Sequence, residues 1–344
     1  MVSGPSDLPP IQSVTSAGFF LAIPALAMLL GVVFVGVVRR YALRSAILDR
    51  PNPRSSHADP TPRGGGLGLI LAVLSAWLFG VRVNDPVVWV ALLGIGIVAV
   101  VGWMDDRTGG SVAGRLKAQL IGSLCLLPLA LQPFPVPDWM GWGAVAWWVF
   151  WGVSAPNVVN FMDGIDGLIG SQMLLFGVHL ALLGRDEGFA RPLGLALAGA
   201  CAGFLLWNWA PARIFMGDVG SGALGLTVVL GGILILREGR VGLIASFIPL
   251  YPLFLDATVT LLRRAARGDR LTDAHRQHLY QRLANGGWGH ARVALLYAVS
   301  AAVGVAVAQT ARYPLWPAIL LAYGVLVLAG GFLLDRRVPV PGRP

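Results

Sequence analysis

The sequence predicts an all-α, polytopic transmembrane helical bundle of ten to eleven helices, and three observations carry that expectation. Only 12% of the 344 residues are charged and 56% are hydrophobic, where a soluble domain holds about 25% charged residues. Apolar stretches recur from end to end, many near the ~20 residues that cross a bilayer as a helix. The basic residues fall into alternate loops, as the positive-inside rule requires.

Eleven candidate spans follow in order: 17–38, 66–83, 87–103, 116–131, 141–159, 168–184, 190–209, 219–236, 241–262, 290–309 and 314–334. Several are short and rich in Gly or Pro, and one re-entrant segment would make the count ten. The first is long enough to span and lacks a basic flank or a clear cleavage site, so it reads as a retained helix. No soluble domain, low-complexity linker or internal repeat interrupts the pattern. The whole of 1–344 therefore reads as a single integral-membrane domain, with a motif-bearing core at about 45–290 and two further helices at about 290–334. Cys125 and Cys201 lie inside apolar stretches and read as small buried hydrophobes, not as a disulfide or metal ligands.

With the N-terminus outside, the inner loops receive Arg39, Arg40, Arg44, Arg50, Arg54, Arg63, Arg107, Arg115, Lys117 and Arg213. They also receive Arg263, Arg264, Arg267, Arg270, Arg276, Arg282, Arg292, Arg336, Arg337 and Arg343, leaving outside only Arg82, Arg185, Arg191, Arg237, Arg240 and Arg312. This asymmetry predicts an N-out, C-in chain. It also accounts for the net charge of +9 without nucleic acid as a partner. Asp105, Asp106, Asp163, Asp166 and Asp218 then fall on the cytoplasmic side, although none was used to set the topology.

Three motifs concentrate those acids. Trp103-Met104-Asp105-Asp106-Arg107 ends the third span; adjacent carboxylates beside lipid repel and need a cation or proton. A solvated helix terminus is the plain alternative. Asn157-Val158-Val159-Asn160-Phe161-Met162-Asp163-Gly164-Ile165-Asp166-Gly167 puts Asp163 and Asp166 on one face if helical. Two acids, two asparagines and two glycines in so short a space are hard to explain by packing. Phe215-Met216-Gly217-Asp218-Val219-Gly220-Ser221-Gly222 is a Gly-rich turn feeding a helix, whose free N–H groups suit phosphate. Asp218 would oppose such an anion unless a divalent cation lay between, which makes it a candidate metal ligand. Five aspartates form an oxygen-rich set of the kind Mg²⁺ prefers. Since Mg²⁺ takes only one or two carboxylates, some of these acids must handle protons or substrate.

Two basic loops complete the pattern. One carries Arg54, His57 and Arg63; the other, 263–289, carries six arginines with His275, His278, Tyr280 and Gln281. Arginine's planar fork suits phosphate oxygens, so Arg54, His57, Arg63 and His278 are read as ligand contacts. Arg39, Arg40, Arg263 and Arg264 are read as anchors to anionic lipid. Asp256 in the ninth span is either helix–helix glue or part of the site, and His179 and His290 read as packing or interface residues.

These motifs together resemble the polyprenyl-phosphate N-acetylhexosamine-1-phosphate transferases, the family of the phospho-MurNAc-pentapeptide translocase and of the enzymes that begin enterobacterial common antigen and teichoic acid. The matching stretches are PNPRSSHADPTPRGGG (51–66), Asp105-Asp106 with Lys117 and Gln119 downstream, NVVNFMDGIDGL (157–168), FMGDVGSGALG (215–225) and HRQHLYQRL (275–283). They occur in family order over about 45–290, and their wording is most like the O-antigen-initiating, WbpL-type branch. The chain departs from the family at His278-Leu279-Tyr280-Gln281, where many members cluster histidines.

The resemblance implies a cytoplasmic active site in the bacterial inner membrane. A UDP-N-acetylhexosamine and undecaprenyl phosphate would meet there, with Mg²⁺ as cofactor and Mn²⁺ as its substitute; a homodimer is compatible with it. It implies Asp218 as the principal metal ligand and Asp105, Asp106, Asp163, Asp166 and His278 as the catalytic set. It implies Arg54, His57, Arg63, Lys117, Asn157, Asn160 and Arg276 as substrate-binding residues. The rival readings of the same acids are a secondary transporter, which needs charges near the midplane and related halves, and an intramembrane aspartyl protease, which needs a partner aspartate at the depth of Asp218.

Overall fold

The computed structural model describes residues 17–50, 59–81, 83, 85–131, 138–239, 242–270, 275–312 and 314–337. Arg54 and His57 lie outside the described residues. Among these residues the chain forms thirteen α-helices: α1 Ala17–Arg44, α2 Gly65–Gly80, α3 Pro86–Thr108, α4 Val112–Leu131, α5 Asp138–Met162, α6 Leu168–Leu183, α7 Ala190–Asn208, α8 Gly217–Arg237, α9 Leu243–Phe247, α10 Tyr251–Ala266, α11 Leu279–Leu283, α12 Gly289–Gln309 and α13 Trp316–Arg337. A two-residue antiparallel ladder, β1 Leu48–Asp49 with β2 Thr61–Pro62, is the one exception to the all-α expectation among the described residues.

A helix stands at each of the eleven expected spans. Among the described residues, eight helical segments are long and apolar enough to cross a membrane, while α2 and α6 are apolar but only 16 residues long. The ninth expected span, 241–262, is not one straight helix. A 3-10 turn at Ile248–Leu250 separates α9 from α10, in a segment where Pro249 and Pro252 each withhold an N–H from the helical ladder.

The helix α8 is the axis of the bundle, packed by α2, α3, α4, α5, α6, α7 and α9. Its most apolar stretch is 94% buried, against 6% for that of α13. Leu321, Leu326 and Leu333 of α13 stand bare, as apolar side chains do when the solvent is lipid. The N-terminal end of this central helix, at Gly217–Asp218, is where the acidic motifs meet.

Candidate active site

Backbone contacts set the site before any side chain does. The 61–66 segment is stitched to the start of α8: Phe215 N–H donates to Pro62 O (2.8 Å), Gly65 N–H to Phe215 O (2.9 Å) and Gly66 N–H to Met216 O (2.8 Å). This is possible because α2 and α8 meet glycine against glycine. A Cβ on Gly66 would stand 2.2 Å from Gly220 Cα, so no side chain fits there. Gly217 enters α8 at φ +78°, a left-handed conformation that glycine adopts freely.

The paired aspartates of α3 take different tasks. Asp106 has a fully buried side chain and accepts the Asp218 N–H (2.9 Å) and the Val219 N–H (3.1 Å). The first backbone donors of α8 are thus already satisfied by a carboxylate from α3. This corrects the expectation of an anion cradle at that helix start. Asp106 also pairs with Arg63 Nε at 2.7 Å. Asp105 accepts the Gly110 N–H on one oxygen and Arg115 Nη1 at 2.9 Å on the other.

Asp218 is the meeting point. Its Oδ1 accepts Asn160 Nδ2 at 2.6 Å; its Oδ2 accepts Arg115 Nη1 at 3.0 Å and faces Arg63 Nη2 at 3.2 Å. Asn160 Nδ2 also reaches Ser221 Oγ at 2.9 Å, which ties the end of α5 to the first turn of α8. Asn157, one turn earlier, donates to the buried Gln119 of α4 at 2.6 Å.

Asp163 lies in the turn after α5. Burial, then Asp218, Asp106 and Asp166, raise its carboxyl well above the ordinary 3.8 despite the opposing pull of Arg63. Arg63 is shifted upwards too, by its neighbours and against its burial. Its burial disfavours the charge, but Asp106, Asp218, Asp49 and Asp163 outweigh that and hold the guanidinium's proton more tightly than usual.

The expected residues divide accordingly. Asp105, Asp106, Asp218, Asn160 and Arg63 form one contact network, with Asp163 at its edge. Asp166 turns away from it: its carboxylate accepts the Ala212 N–H at 3.0 Å and pairs with His290 Nδ1 at 3.3 Å. His290 Nδ1 also lies 3.4 Å from the Asp166 backbone N–H, so this ring is a polar contact of Asp166 and not merely a packing residue. Lys117 is exposed, and α4 delivers Arg115 to the acids in its place. Residues two apart on a helix point about 200° apart, so only one of these two cations can face α3 and α8. His278 is buried beside Phe161 and Tyr280, with ring centroids 6.3 and 5.8 Å away, and its Nδ1 lies 3.8 Å from Asp256. It contacts the loop behind the acids, not the acids themselves. Arg276 is half-buried on the same loop. The sequence reading missed Arg115 and Ser221 as members of the site; nothing in the linear order separates Arg115 from Lys117.

The donor set fits a hard divalent cation. Asp105, Asp106 and Asp218 meet two guanidinium groups among the described residues, one carboxyl more than the cations that face them. No three Asp, Glu, His or Cys side chains among the described residues form a closed cage. That suits Mg²⁺, which takes one or two carboxylates and leaves its other positions to water or phosphate. Asp218, whose carboxylate accepts from Asn160 Nδ2 and Arg115 and faces Arg63, is the residue that would hold such an ion once those donors turn to phosphate.

Comparison with known proteins bears on what this arrangement does. Residues 88–236, from α3 to α8, match the model of Glycosyl transferase family 4. The chain is 26% identical over 315 residues to the probable undecaprenyl-phosphate N-acetylglucosaminyl 1-phosphate transferase of Bacillus subtilis, covering 88% of this chain and 87% of that protein. It is 29% identical over 308 residues to the decaprenyl-phosphate N-acetylglucosaminephosphotransferase of Mycolicibacterium smegmatis, covering 76% of this chain and 74% of that one. It is 35% identical over 228 residues to the phospho-N-acetylmuramoyl-pentapeptide-transferase of a Synechococcus strain, covering 61% and 66%. The match of residues 88–236 contains Asp105, Asp106, Arg115, Asn160, Asp163 and Asp218, while Arg63 and His278 lie outside it.

Proposed function

We propose that the chain transfers an N-acetylhexosamine-1-phosphate from a UDP-sugar to undecaprenyl phosphate. The reaction releases UMP and leaves a polyprenyl-diphospho-sugar that initiates O-antigen or a related cell-envelope glycan. The observation that carries this reading is the convergence of Asp105, Asp218, Arg63 and Arg115 at one helix start, in a chain similar to named polyprenyl-phosphate transferases. The positive-inside pattern supports a cytoplasmic site in the bacterial inner membrane, with the N-terminus outside and the C-terminus inside.

In this reading an oxygen of the lipid phosphate attacks the β-phosphorus of the UDP-sugar, and the bond from that phosphorus to the bridging oxygen of UMP breaks. Two anions must approach each other, so neutralisation is the main task. Arg63 and Arg115 each present a guanidinium shared between two acids, and these forks can turn to phosphate oxygens. Mg²⁺ held by Asp218 would supply further charge neutralisation. Asp105 is the acid suited to take a proton from, or orient, the lipid phosphate, because Asp106 is occupied with the α8 backbone. Asp163 and Asn160 border the position where a sugar or nucleotide would lie.

The same contacts weigh against an aspartyl protease. Arg115 Nη1 bridges Asp105 and Asp218 and Arg63 pairs with Asp218 as well, so the two carboxyls are held by cations and not left facing one another across a shared water, as protease chemistry needs. The acids also gather at a helix end and not at mid-helix, unlike a transporter's ion path.

The test is UMP release by purified protein with undecaprenyl phosphate, Mg²⁺ and a panel of UDP-N-acetylhexosamines. Release with at least one sugar, dependent on the lipid phosphate, is expected. Absence of release with every sugar, from protein that remains folded, contradicts the proposal.

A further inference from the structure

Asp256 is a buried carboxylate on α10 that the reaction scheme does not use, and its surroundings give it a task. Four donors converge on it. Oδ1 accepts the Leu279 N–H at 2.8 Å and Thr260 Oγ1 at 3.3 Å; Oδ2 accepts the Tyr280 N–H at 3.0 Å and Tyr297 Oη at 2.7 Å. A carboxylate is the side chain that accepts on every lone pair, and here it binds α10, α12 and the start of α11 into one knot. His278 is the residue immediately before the two captured amides, with its Nδ1 3.8 Å from Oδ1.

The knot extends to the acidic site through Tyr280. That side chain is completely buried, and its hydroxyl donates to the Phe161 carbonyl at 2.9 Å. Phe161 lies between Asn160, which binds Asp218, and Asp163. Gly164 lies so close to the Tyr280 hydroxyl that a Cβ would stand 2.2 Å from it. His278 packs on the other side of the same residues, stacked against Phe161 and Tyr280.

We propose that Asp256 is a positioning residue: by fixing the Leu279 and Tyr280 backbone it holds His278 and the Asn160–Asp163 turn in one register. The functional half of this inference rests on the transferase reading; the structural half does not. Asp256 touches no reacting group. It sets where two separate parts of the site stand relative to each other, and loss of such register of about 1 Å lowers turnover by up to ~100-fold.

The experiment uses the purified full chain with Asp256→Asn and Tyr280→Phe, and Tyr323→Phe as a control that removes a different partly buried hydroxyl bond, to Ser300 O. Hydrogen exchange is followed on peptides covering 275–283, 158–168 and α8, alongside steady-state kcat and KM. In Asp256→Asn, exchange at both 275–283 and 158–168 is expected to accelerate by about 10-fold or more while α8 is unchanged. With it, kcat falls by about 10- to 100-fold and KM for the UDP-sugar moves by less than about threefold. Tyr280→Phe should loosen 158–168 alone, and Tyr323→Phe neither segment.

Unchanged exchange at 158–168 in Asp256→Asn overturns the proposal, as does a uniform acceleration across all helices or an unaltered kcat. If the wild-type chain transfers no sugar phosphate, the exchange pattern still decides the structural half, and the transferase reading alone falls. Should Asp256→Asn fail to fold, Tyr297→Phe removes one of the four donors and is judged by the same three peptides.

Discussion

Replacing Asp106 by Asn separates its structural task from the chemistry of its neighbour Asp105. The native carboxylate accepts two backbone N–H groups of α8 and pairs with Arg63, and its side chain is wholly buried. An Asn retains one acceptor oxygen and turns an NH₂ group towards either the second backbone donor or the guanidinium. Hydrogen bonds to a charged acceptor contribute about 1.5–3 kcal/mol each, so losing the charge from two of them weakens α8's attachment to α3 by roughly 3–5 kcal/mol. Arg63 is 32% exposed in its side chain and can rehydrate, so its loss adds little. For a chain of 344 residues each kcal/mol moves Tm by no more than about 2 °C, extending the trend for smaller domains. Asp106→Asn should therefore lower Tm by roughly 5 °C and displace Asp218. Asp105→Asn should abolish transfer with a smaller Tm change, since its partner Arg115 is 34% exposed. Both are measured on detergent-purified protein by a thermal unfolding scan and by UMP release. Equal Tm values for Asp106→Asn and wild type would refute the claim that Asp106 holds the start of α8.

Further predictions follow from the same contacts. Gly66→Ala forces a methyl group to within 2.2 Å of Gly220 Cα; an overpacked core loses about 1–3 kcal/mol, read as a lower Tm, whereas Gly96→Ala, with open space at its Cβ, should be neutral. Asp163 binds its proton more tightly in the folded chain than the ordinary 3.8, so its contribution to stability is full at acid pH and is lost as pH rises through the raised value. In chelator, Tm of wild type should fall relative to Asp163→Asn across that rise, and parallel curves would contradict the assignment. Asp335 accepts from the buried Arg282 through both a carboxylate and a backbone oxygen, and it pairs with Arg263 at 2.9 Å. Removing one partner of such a pair costs about 3–5 kcal/mol, so Asp335→Ala should lower Tm well beyond Asp269→Ala, whose pair with Arg264 is long, at 3.7 Å, and open to solvent on the Asp269 side.

The bundle was legible because lipid imposes its own rule: a helix must be long, apolar and self-satisfied, and that leaves its trace in composition. The break between α9 and α10 was written in Pro249 and Pro252, yet apolar content alone cannot distinguish a bent span from a straight one. The acids of three separate loops were legible as one site because charge at a membrane surface needs a reason. Their division of labour was not. Asp105 and Asp106 are neighbours in sequence, but the 100° step of a helix sends one to the Arg115 guanidinium and the other under α8. The same rotation selects Arg115 over Lys117. Asp166 and His278 carry the look of catalytic groups, yet their contacts are with His290, Ala212, Asp256 and aromatic rings, partners up to 124 residues away that no local pattern can name.

The central claim is that Asp218 organises one cation-dependent transfer centre at the start of α8. Its most direct test is the Mg²⁺ activation curve of UMP release for wild type and Asp218→Asn, with Asp166→Asn alongside. The account predicts saturable activation in wild type, none in Asp218→Asn at any Mg²⁺ concentration, and activation preserved in Asp166→Asn with at most a change in KM. Activation of Asp218→Asn at the wild-type Mg²⁺ concentration would contradict it.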